Sequence, residues 1–311
     1  MASTRNRLKI DGASETQVSD LSARINSCQT ITDALSASRE VLTEYQDNLT
    51  FNEPAIEAKI FVEYALEKTS IQLITQSGYL LCKEGKKKLI STLSKRIYGY
   101  PVAYIVGYQP FWTLNLGVSE HTLIPRADSE IVVETAILLP LAKNATVLDL
   151  GTGTGAIALA IKSERSHWIV SGCDFKEEII ELAQANASLN SLNVEFVLSN
   201  WFSAITTTQA FDLIVSNPPY VESNSLWLNQ GDVRFEPNSA LTSGIDGLDD
   251  IRHIISKGTE YLKQGGYLLL EHGHQQANII QQLLLQRGYQ EVTTKQDLNG
   301  LDRATLGCWL G

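Results

Sequence analysis

Four consecutive residues, Asn217-Pro218-Pro219-Tyr220, concentrate more chemistry than any other stretch of the chain. They follow the apolar run Phe211-Asp212-Leu213-Ile214-Val215, which predicts a strand. Neither proline can donate to a strand ladder and each has a locked φ, so the chain must leave the sheet here at a fixed angle. What remains at the strand end is a side-chain amide, at least one free backbone carbonyl and an aromatic face. Acceptors beside a flat wall suit an NH2 group held still while its nitrogen attacks an electrophile. Two prolines can also simply end a strand, so the motif needs a partner elsewhere in the chain.

Its partner is the turn Leu148-Asp149-Leu150-Gly151-Thr152-Gly153-Thr154-Gly155, between a predicted strand (146–150) and a helix. Glycines there let a ligand approach the backbone at the carboxyl end of the strands, where open sheets bind ligands. Asp174 ends the next predicted strand roughly 20 residues on, a position from which an acid can hydrogen-bond both hydroxyls of a ribose. Asn200-Trp201-Phe202 ends the third, where an aromatic could stack on an adenine ring. Gly151, Gly153 and Ala156 also fit the dinucleotide pattern, so the turn alone leaves NAD open. Three features tilt the reading away from NAD. Alternating glycines follow Asp149, the turn lies in the middle of the chain after a helical region, and Asn217-Pro218-Pro219-Tyr220 ends a later strand, where a substrate would lie.

These residues need a scaffold to bring them together. From Ala145 onward, strand-like segments (146–150, 168–174, 194–199, 211–216, 267–271) alternate with helical patterns such as 176–189 and 275–287. That alternation predicts an α/β fold, an open and mostly parallel sheet with helices on both faces. Segments 289–295 and 303–310 are expected to pair as an edge hairpin. Upstream, residues 28–98 show apolar residues at helical spacing: Ile31, Leu35, Val41 and Leu42; Ile56, Ile60, Phe61 and Tyr64 behind Pro54; Leu89, Leu93 and Ile97. Val102, Tyr104 and Val106 alternate, as do later positions up to Val118, and predict a β-hairpin linker. The expected organisation is a disordered extension (1–26), a helical domain (27–99), a hairpin linker (100–125) and the α/β domain (126–311).

Bulk properties narrow the classes. The 311 residues can build two cored domains, and a formal net charge of −10 argues against a general nucleic-acid binder. Cys28, Cys82, Cys173 and Cys308 form no CxxC pair, which points to a reducing compartment. No apolar run reaches membrane-spanning length. His272 and His274 flank Gly273, but with no third ligand in the pattern they read as structural and no metal is expected. Lys86-Lys87-Lys88 reads as a solvated helix face. Arg126 reads as a partner for a nearby acid, and Glu271 as a supporting residue at a strand end.

The pairing of Asp149–Gly155 with Asn217–Tyr220 resembles the class I S-adenosylmethionine-dependent methyltransferases that modify planar amino groups. More narrowly, the chain is similar to the HemK-type release-factor glutamine N5-methyltransferases. The likeness runs nearly end to end: Pro101–Ile105 with Gly107 and Phe111, Leu123–Glu130, Asp232–Pro237, Ala240-Leu241, Asp246–Leu248, Leu270–Gly273, and Asp302-Arg303 with Gly307. It departs at Tyr100 and Pro110, where the family usually has Glu, and at Asn200, where Asp is common.

The resemblance implies a Rossmann-like sheet of about seven strands with an antiparallel edge hairpin. It implies S-adenosylmethionine as methyl donor, held by Asp149, Gly151, Thr152, Gly153, Thr154, Gly155, Asp174, Trp201 and Asn217. It implies a substrate amide held by Asn217, Pro218, Pro219 and Tyr220, with Asn217, Pro218 and Tyr220 catalytic, and the product S-adenosylhomocysteine. The implied substrate is the Gln of the Gly-Gly-Gln motif of peptide chain release factors, met in the cytoplasm by a monomer. An adenine-N6 or guanine-N2 methyltransferase acting on RNA or DNA, or a ribosomal-protein glutamine methyltransferase, is the competing expectation.

Overall fold

The computed structural model describes residues 15–45, 53–206 and 211–311. The chain divides into two compact units, residues 1–106 with 227–235, and 107–226 with 236–311.

The described part of the first unit is helical: α1 (Glu15–Ser27), α2 (Ile31–Glu44), α3 (Pro54–Leu66), α4 (Ser70–Thr75), α5 (Lys83–Ile97) and α6 (Val102–Val106). Local chemistry sets several of the helix starts. Thr30 and Asp33 form a reciprocal capping box on α2, and Pro54 opens α3, where its missing N–H costs nothing. Ile25, Ile31, Leu42, Phe61, Leu89 and Leu93 are fully buried and make the core.

Arg96 is also fully buried. Its Nε and Nη2 donate to the two Glu57 oxygens at 2.7 and 2.8 Å, and its Nη1 donates to Asp232 at 2.9 Å and the Tyr100 carbonyl at 3.2 Å. Phe235 packs edge-on to Tyr98 and Tyr100, so the returning segment 227–235 is part of this core. In the tri-lysine segment, Lys88 pairs with Glu67 and lies over the Tyr64 ring, on the surface as expected.

Two expectations fail here. The polar extension does not run to residue 26, because Glu15–Ser27 forms α1; the rest of that expectation, residues 1–14, lies outside the described residues. Leu21, Ile25 and Cys28, at helical spacing, are buried, and the polar residues between them masked that stripe. Nor is 102–106 a strand. Pro101 suits a helix start, and over five residues a period of 2 cannot be told from 3.6. The hairpin is confined to β1 (Tyr108–Phe111) and β2 (Leu114–Gly117).

After that hairpin the second unit continues with α7 (Glu130–Leu138), β3 (Thr146–Leu150), α8 (Ala156–Glu164), β4 (Ile169–Asp174), α9 (Glu177–Leu189), β5 (Glu195–Leu198) and β6 (Phe211–Ser216). Then follow α10 (Asp249–Gly258), β7 (Leu262–Glu271), α11 (Ala277–Arg287), β8 (Gln290–Gln296) and β9 (Asp302–Trp309). Among the described residues, seven strands form one sheet in the order β5-β4-β3-β6-β7-β9-β8. β3 to β7 are parallel, while β9 runs antiparallel to β7 and β8 to β9, the expected edge hairpin.

Alternate residues of the central strands feed two cores. Val147, Leu213, Val215 and Leu269 point to one face, and Leu148, Leu150, Ile214, Leu268 and Leu270 to the other. This is the Rossmann-like class I methyltransferase sheet expected above. Among the described residues, no helix is long and apolar enough to cross a membrane.

Candidate active site

Strand order reverses at β3. From β3 the chain moves outward through β4 to β5, then returns to lay β6 against the other side of β3. In sequence Asn217-Pro218-Pro219-Tyr220 stands several elements after the glycine turn. In space the two strands are neighbours, with Leu150 paired to Ser216 and the Ser216 hydroxyl donating to the Leu150 carbonyl at 2.7 Å. Such a switch point opens a crevice beyond the carboxyl ends of the strands. A cavity of about 350 Å³ lies there, lined by both motifs.

The glycine turn forms the floor. Gly151, Gly153 and Gly155 have φ of 67°, 55° and 83°, a region that L side chains avoid. A Cβ on Gly151 would come within 3.3 Å of the Trp201 ring, close enough that the ring would have to shift by a few tenths of an ångström. Asp149 is buried beneath the turn. Its Oδ2 accepts from the Thr152 hydroxyl at 2.6 Å and from the Ala158 N–H, at the start of α8, at 3.2 Å. Its Oδ1 has no hydrogen-bond partner among the described residues. Burial pushes the carboxyl up to about 7, against the pull of those two hydrogen bonds.

Asp174, at the end of β4, accepts from the Gly153 N–H at 3.0 Å and from the Phe175 N–H at 2.8 Å. Burial raises its pKa as well. Phe175 beside it lines the cavity and is half exposed. Trp201 is held in a left-handed conformation, φ 51°, with its indole N–H donating to Asp250 at 3.1 Å. Asp250 is itself fixed by Ser243, whose hydroxyl donates to it at 2.7 Å. Phe202 faces the other way, stacked on Tyr261 in the core at 4.4 Å.

Asn217 lines the cavity, and its Nδ2 donates to the Ser129 hydroxyl oxygen at 3.1 Å. That commits the amine end of the amide to the protein and leaves Oδ1 for the cavity. Pro219 also lines it, whereas Pro218 is buried. Among the described residues nothing donates to the Pro218 carbonyl. Tyr220 is not a lining residue. Its ring packs against the second core, and its hydroxyl donates to Glu271 at 3.4 Å.

The predicted set therefore converges, with exceptions. Asp149, Gly151, Thr152, Gly153, Thr154, Asp174, Trp201, Asn217 and Pro219 share one cavity. Gly155 and Tyr220 do not line it, and Pro218, though its ring is buried, keeps a carbonyl to which nothing donates among the described residues. Sequence reasoning missed Phe175 and Asp250, which belong to no recognisable pattern, and gave Ser129 no role beyond the family-like stretch Leu123–Glu130. His272 is buried, its ring bonded to the Thr305 hydroxyl at 2.7 Å and to the Gly273 carbonyl at 2.9 Å. Arg126 pairs with the buried Glu236.

Residues 128–231 match the family model described as Methyltransferase small domain, and residues 33–107 match the PrmC N-terminal domain. A protein of Shewanella oneidensis named release factor glutamine methyltransferase is 47% identical over 82% of this chain and 90% of its own length. One of the same name from Aliivibrio fischeri is 45% identical over 83% of this chain and 91% of its own length. The chain belongs to the release factor glutamine methyltransferase family.

A solved protein-(glutamine-N5) methyltransferase (release factor-specific) from Alicyclobacillus acidocaldarius is 24% identical, covering 60% of this chain and 95% of that one. Its TM-score is 0.37, too loose an overlay to bear on the site. Within the release factor glutamine methyltransferase family, the match to the methyltransferase domain takes in Ser129, Asp149–Gly155, Asp174, Trp201 and Asn217–Tyr220. Asp250 and Glu271, which brace Trp201 and Tyr220, fall beyond it.

Proposed function

We propose that this enzyme transfers a methyl group from S-adenosylmethionine to the side-chain nitrogen, N5, of the glutamine in the Gly-Gly-Gln motif of peptide chain release factors. One observation carries the reading: the Asp149–Gly155 turn and Asn217 line a single cavity at the sheet's switch point. The family's relatives supply the substrate class.

The residues present fit the donor. The buried Asp149 Oδ1 lacks a partner among the described residues and suits the ammonium end of an amino acid. The glycine turn admits close backbone approach, as at Gly151 and Gly153. Asp174 keeps lone pairs for ribose hydroxyls, and Phe175 and Trp201 offer aromatic walls. When bound, S-adenosylmethionine supplies a sulfonium methyl, a strong electrophile.

The protein's own contribution is alignment. An amide nitrogen is a weak nucleophile because its lone pair is shared with the carbonyl. Asn217 Oδ1 accepts one N–H of the substrate amide and the Pro218 carbonyl accepts the other. Both favour density on nitrogen and stabilise the positive charge that grows there. Tyr220 acts from behind by bracing the turn that presents these acceptors. No tuned general base is needed, since the product cation is strongly acidic.

The helical unit serves substrate recognition. A single chain supplies the whole cavity, so a monomer suffices, working in the cytoplasm with its release factors.

The test is label transfer from methyl-labelled S-adenosylmethionine to purified release factors, repeated with a Gln→Ala change in the Gly-Gly-Gln motif. Label confined to the unaltered factor supports the reading. Label that persists on the altered factor, or goes only to RNA or DNA, overturns it.

A further inference from the structure

Behind the glycine turn stands an amide that the alignment chemistry does not use. Asn186 lies on α9 and is 2% exposed. Its Oδ1 accepts from the N–H of Gly117, the last residue of β2, at 2.7 Å. Its Nδ2 donates to the Gly117 carbonyl at 3.0 Å and to the Thr154 carbonyl at 2.9 Å. An amide NH2 carries two protons, so both are committed. One side chain thus joins the end of the hairpin to the glycine turn, and neither Asn186 nor Gly117 lines the cavity.

The turn needs such a tether. Its left-handed glycines leave the unbound chain much conformational freedom to lose before it can present one surface. The first half is fixed by its own neighbours: the Thr152 N–H donates to the Cys173 carbonyl at 2.9 Å and the Gly153 N–H to Asp174 at 3.0 Å. Thr154 lines the cavity and is 2% exposed. Among the described residues its carbonyl accepts from Asn186 and from no backbone N–H.

We propose that Asn186 is a positioning residue that sets the second half of the glycine turn, and with it the floor of the cofactor site, by holding the Thr154 carbonyl with β2 as its anchor. The anchor is firm. β2 pairs with β1 over its whole length, and Leu116 is fully buried in the core that also holds Val147. One turn further along α9, Asn190 Nδ2 donates to the Asn115 carbonyl at 3.1 Å. α9 therefore bonds β2 at two alternate strand residues, and only the Asn186 link continues to the turn. Without Asn186 the Thr154 carbonyl is left buried with no donor, and the turn must shift to find one.

The proposal rests on the reading of this turn as the floor for S-adenosylmethionine, so one arm of its test uses no cofactor. In the ligand-free protein, Asn186→Ala should speed hydrogen exchange at the Gly153 and Gly155 amides about tenfold, with the β6 amides unchanged. Asn190→Ala removes a hairpin contact alone and should leave the turn at the wild-type rate. An unchanged rate at the turn in Asn186→Ala, or an equal rise in Asn190→Ala, overturns the proposal.

The second arm is calorimetry with S-adenosylhomocysteine on variants shown by circular dichroism to be folded. Kd should rise about tenfold in Asn186→Ala, as expected when a buried acceptor loses its donor, and stay within about twofold of wild type in Asn190→Ala. KM for the release factor should stay within about twofold in both. Wild-type affinity in folded Asn186→Ala overturns the proposal. If Asn186→Ala does not fold, the wild type decides: bound S-adenosylhomocysteine should raise the exchange protection of the Gly117 amide, and unchanged protection overturns the link. Should the wild type bind no S-adenosylhomocysteine, the functional reading fails, and the ligand-free arm still decides the role of Asn186.

Discussion

Arg96 in the helical unit and Asp149 in the sheet unit are both charged side chains almost wholly removed from water, at 0% and 1% exposure. Arg96 is met on every side. Glu57 takes it with both oxygens, Asp232 and the Tyr100 carbonyl take the remaining nitrogen, and its pKa is raised above an already high value. Among the described residues Asp149 meets two donors, both on one oxygen, and its other oxygen has no partner; Glu271, at 1% exposure, likewise has one oxygen without a partner. Burial pushes both carboxyls to about 7. A buried charge with its shell complete is a fixture of one fold. A buried charge left incomplete is costly to the fold, and a site residue is where such a cost is expected.

The sharpest way to break this contrast is to strip the closed site. Arg96→Met leaves Glu57 and Asp232 without their cation. It should lower stability by about 3–5 kcal/mol, the cost of leaving buried charges unpaired. Denaturant unfolding measures it. Cofactor affinity, read by calorimetry under native conditions, should not change. A loss below about 1 kcal/mol would mean water reaches the triad, and the site is not closed in the sense used here.

The same contrast explains what could be read from the chain beforehand. Asp149, the three glycines, Asp174 and Asn217–Tyr220 were legible because each does its work through local backbone geometry: a turn, a strand end, a locked φ. The sheet was legible from its alternation of strand and helix. The adjacency of β3 and β6 was not, because strand order is set by helix packing and not by any residue in either strand. Ser129 stood out only within the family-like stretch Leu123–Glu130, Asp250 was invisible as a site residue, and Glu271 read only as a supporting residue, for the same reason. Each acts through one contact made far along the chain, to Asn217, Trp201 and Tyr220. The closed triad was equally hidden, since Glu57, Arg96 and Asp232 lie on three separate segments. Short elements failed differently: α6 has too few residues to show its period, and α1 buries a narrow stripe among polar residues.

A second effect tests the open sites through pH. Asp149 and Glu271 have raised pKa values in the folded protein, while in the unfolded chain they return to about 4. Between about 4 and about 7 the folded state therefore holds protons that the unfolded state has released. Their contribution favours folding below about 4 and is lost as pH rises through about 7. Arg96 stays charged throughout and adds no slope. Asp33, Asp212, Asp246 and Asp297 have lowered values and slope the other way, so the informative quantity is a difference between proteins. Relative to Asp149→Asn/Glu271→Gln, the ligand-free wild type should lose roughly 7 kcal/mol across that window, about 1.4 kcal/mol for each unit by which the two carboxyls are raised. Parallel pH curves for the two proteins would mean that neither carboxyl is raised.

The smallest effect separates the two open carboxyls from each other. Glu271 is not among the residues that line the cavity and reaches the site through Tyr220, whereas Asp149 lines it. Asp149→Asn keeps an acceptor for Thr152 and Ala158 and removes only the charge and the buried acceptor that has no partner among the described residues. With no ligand bound, the variant should be at least as stable as the wild type, because an unpaired buried acid has gone. Cofactor affinity should fall about tenfold, roughly 1.4 kcal/mol, which is modest for a buried charge because the raised pKa already leaves part of the wild type neutral near pH 7. The affinity gap between variant and wild type should therefore widen as pH rises through about 7, where Asp149 becomes fully ionised. Calorimetric titration with S-adenosylhomocysteine across that range measures it. An affinity gap that does not vary with pH would show that the open oxygen of Asp149 meets no cation, and that its incompleteness serves the turn and not the ligand.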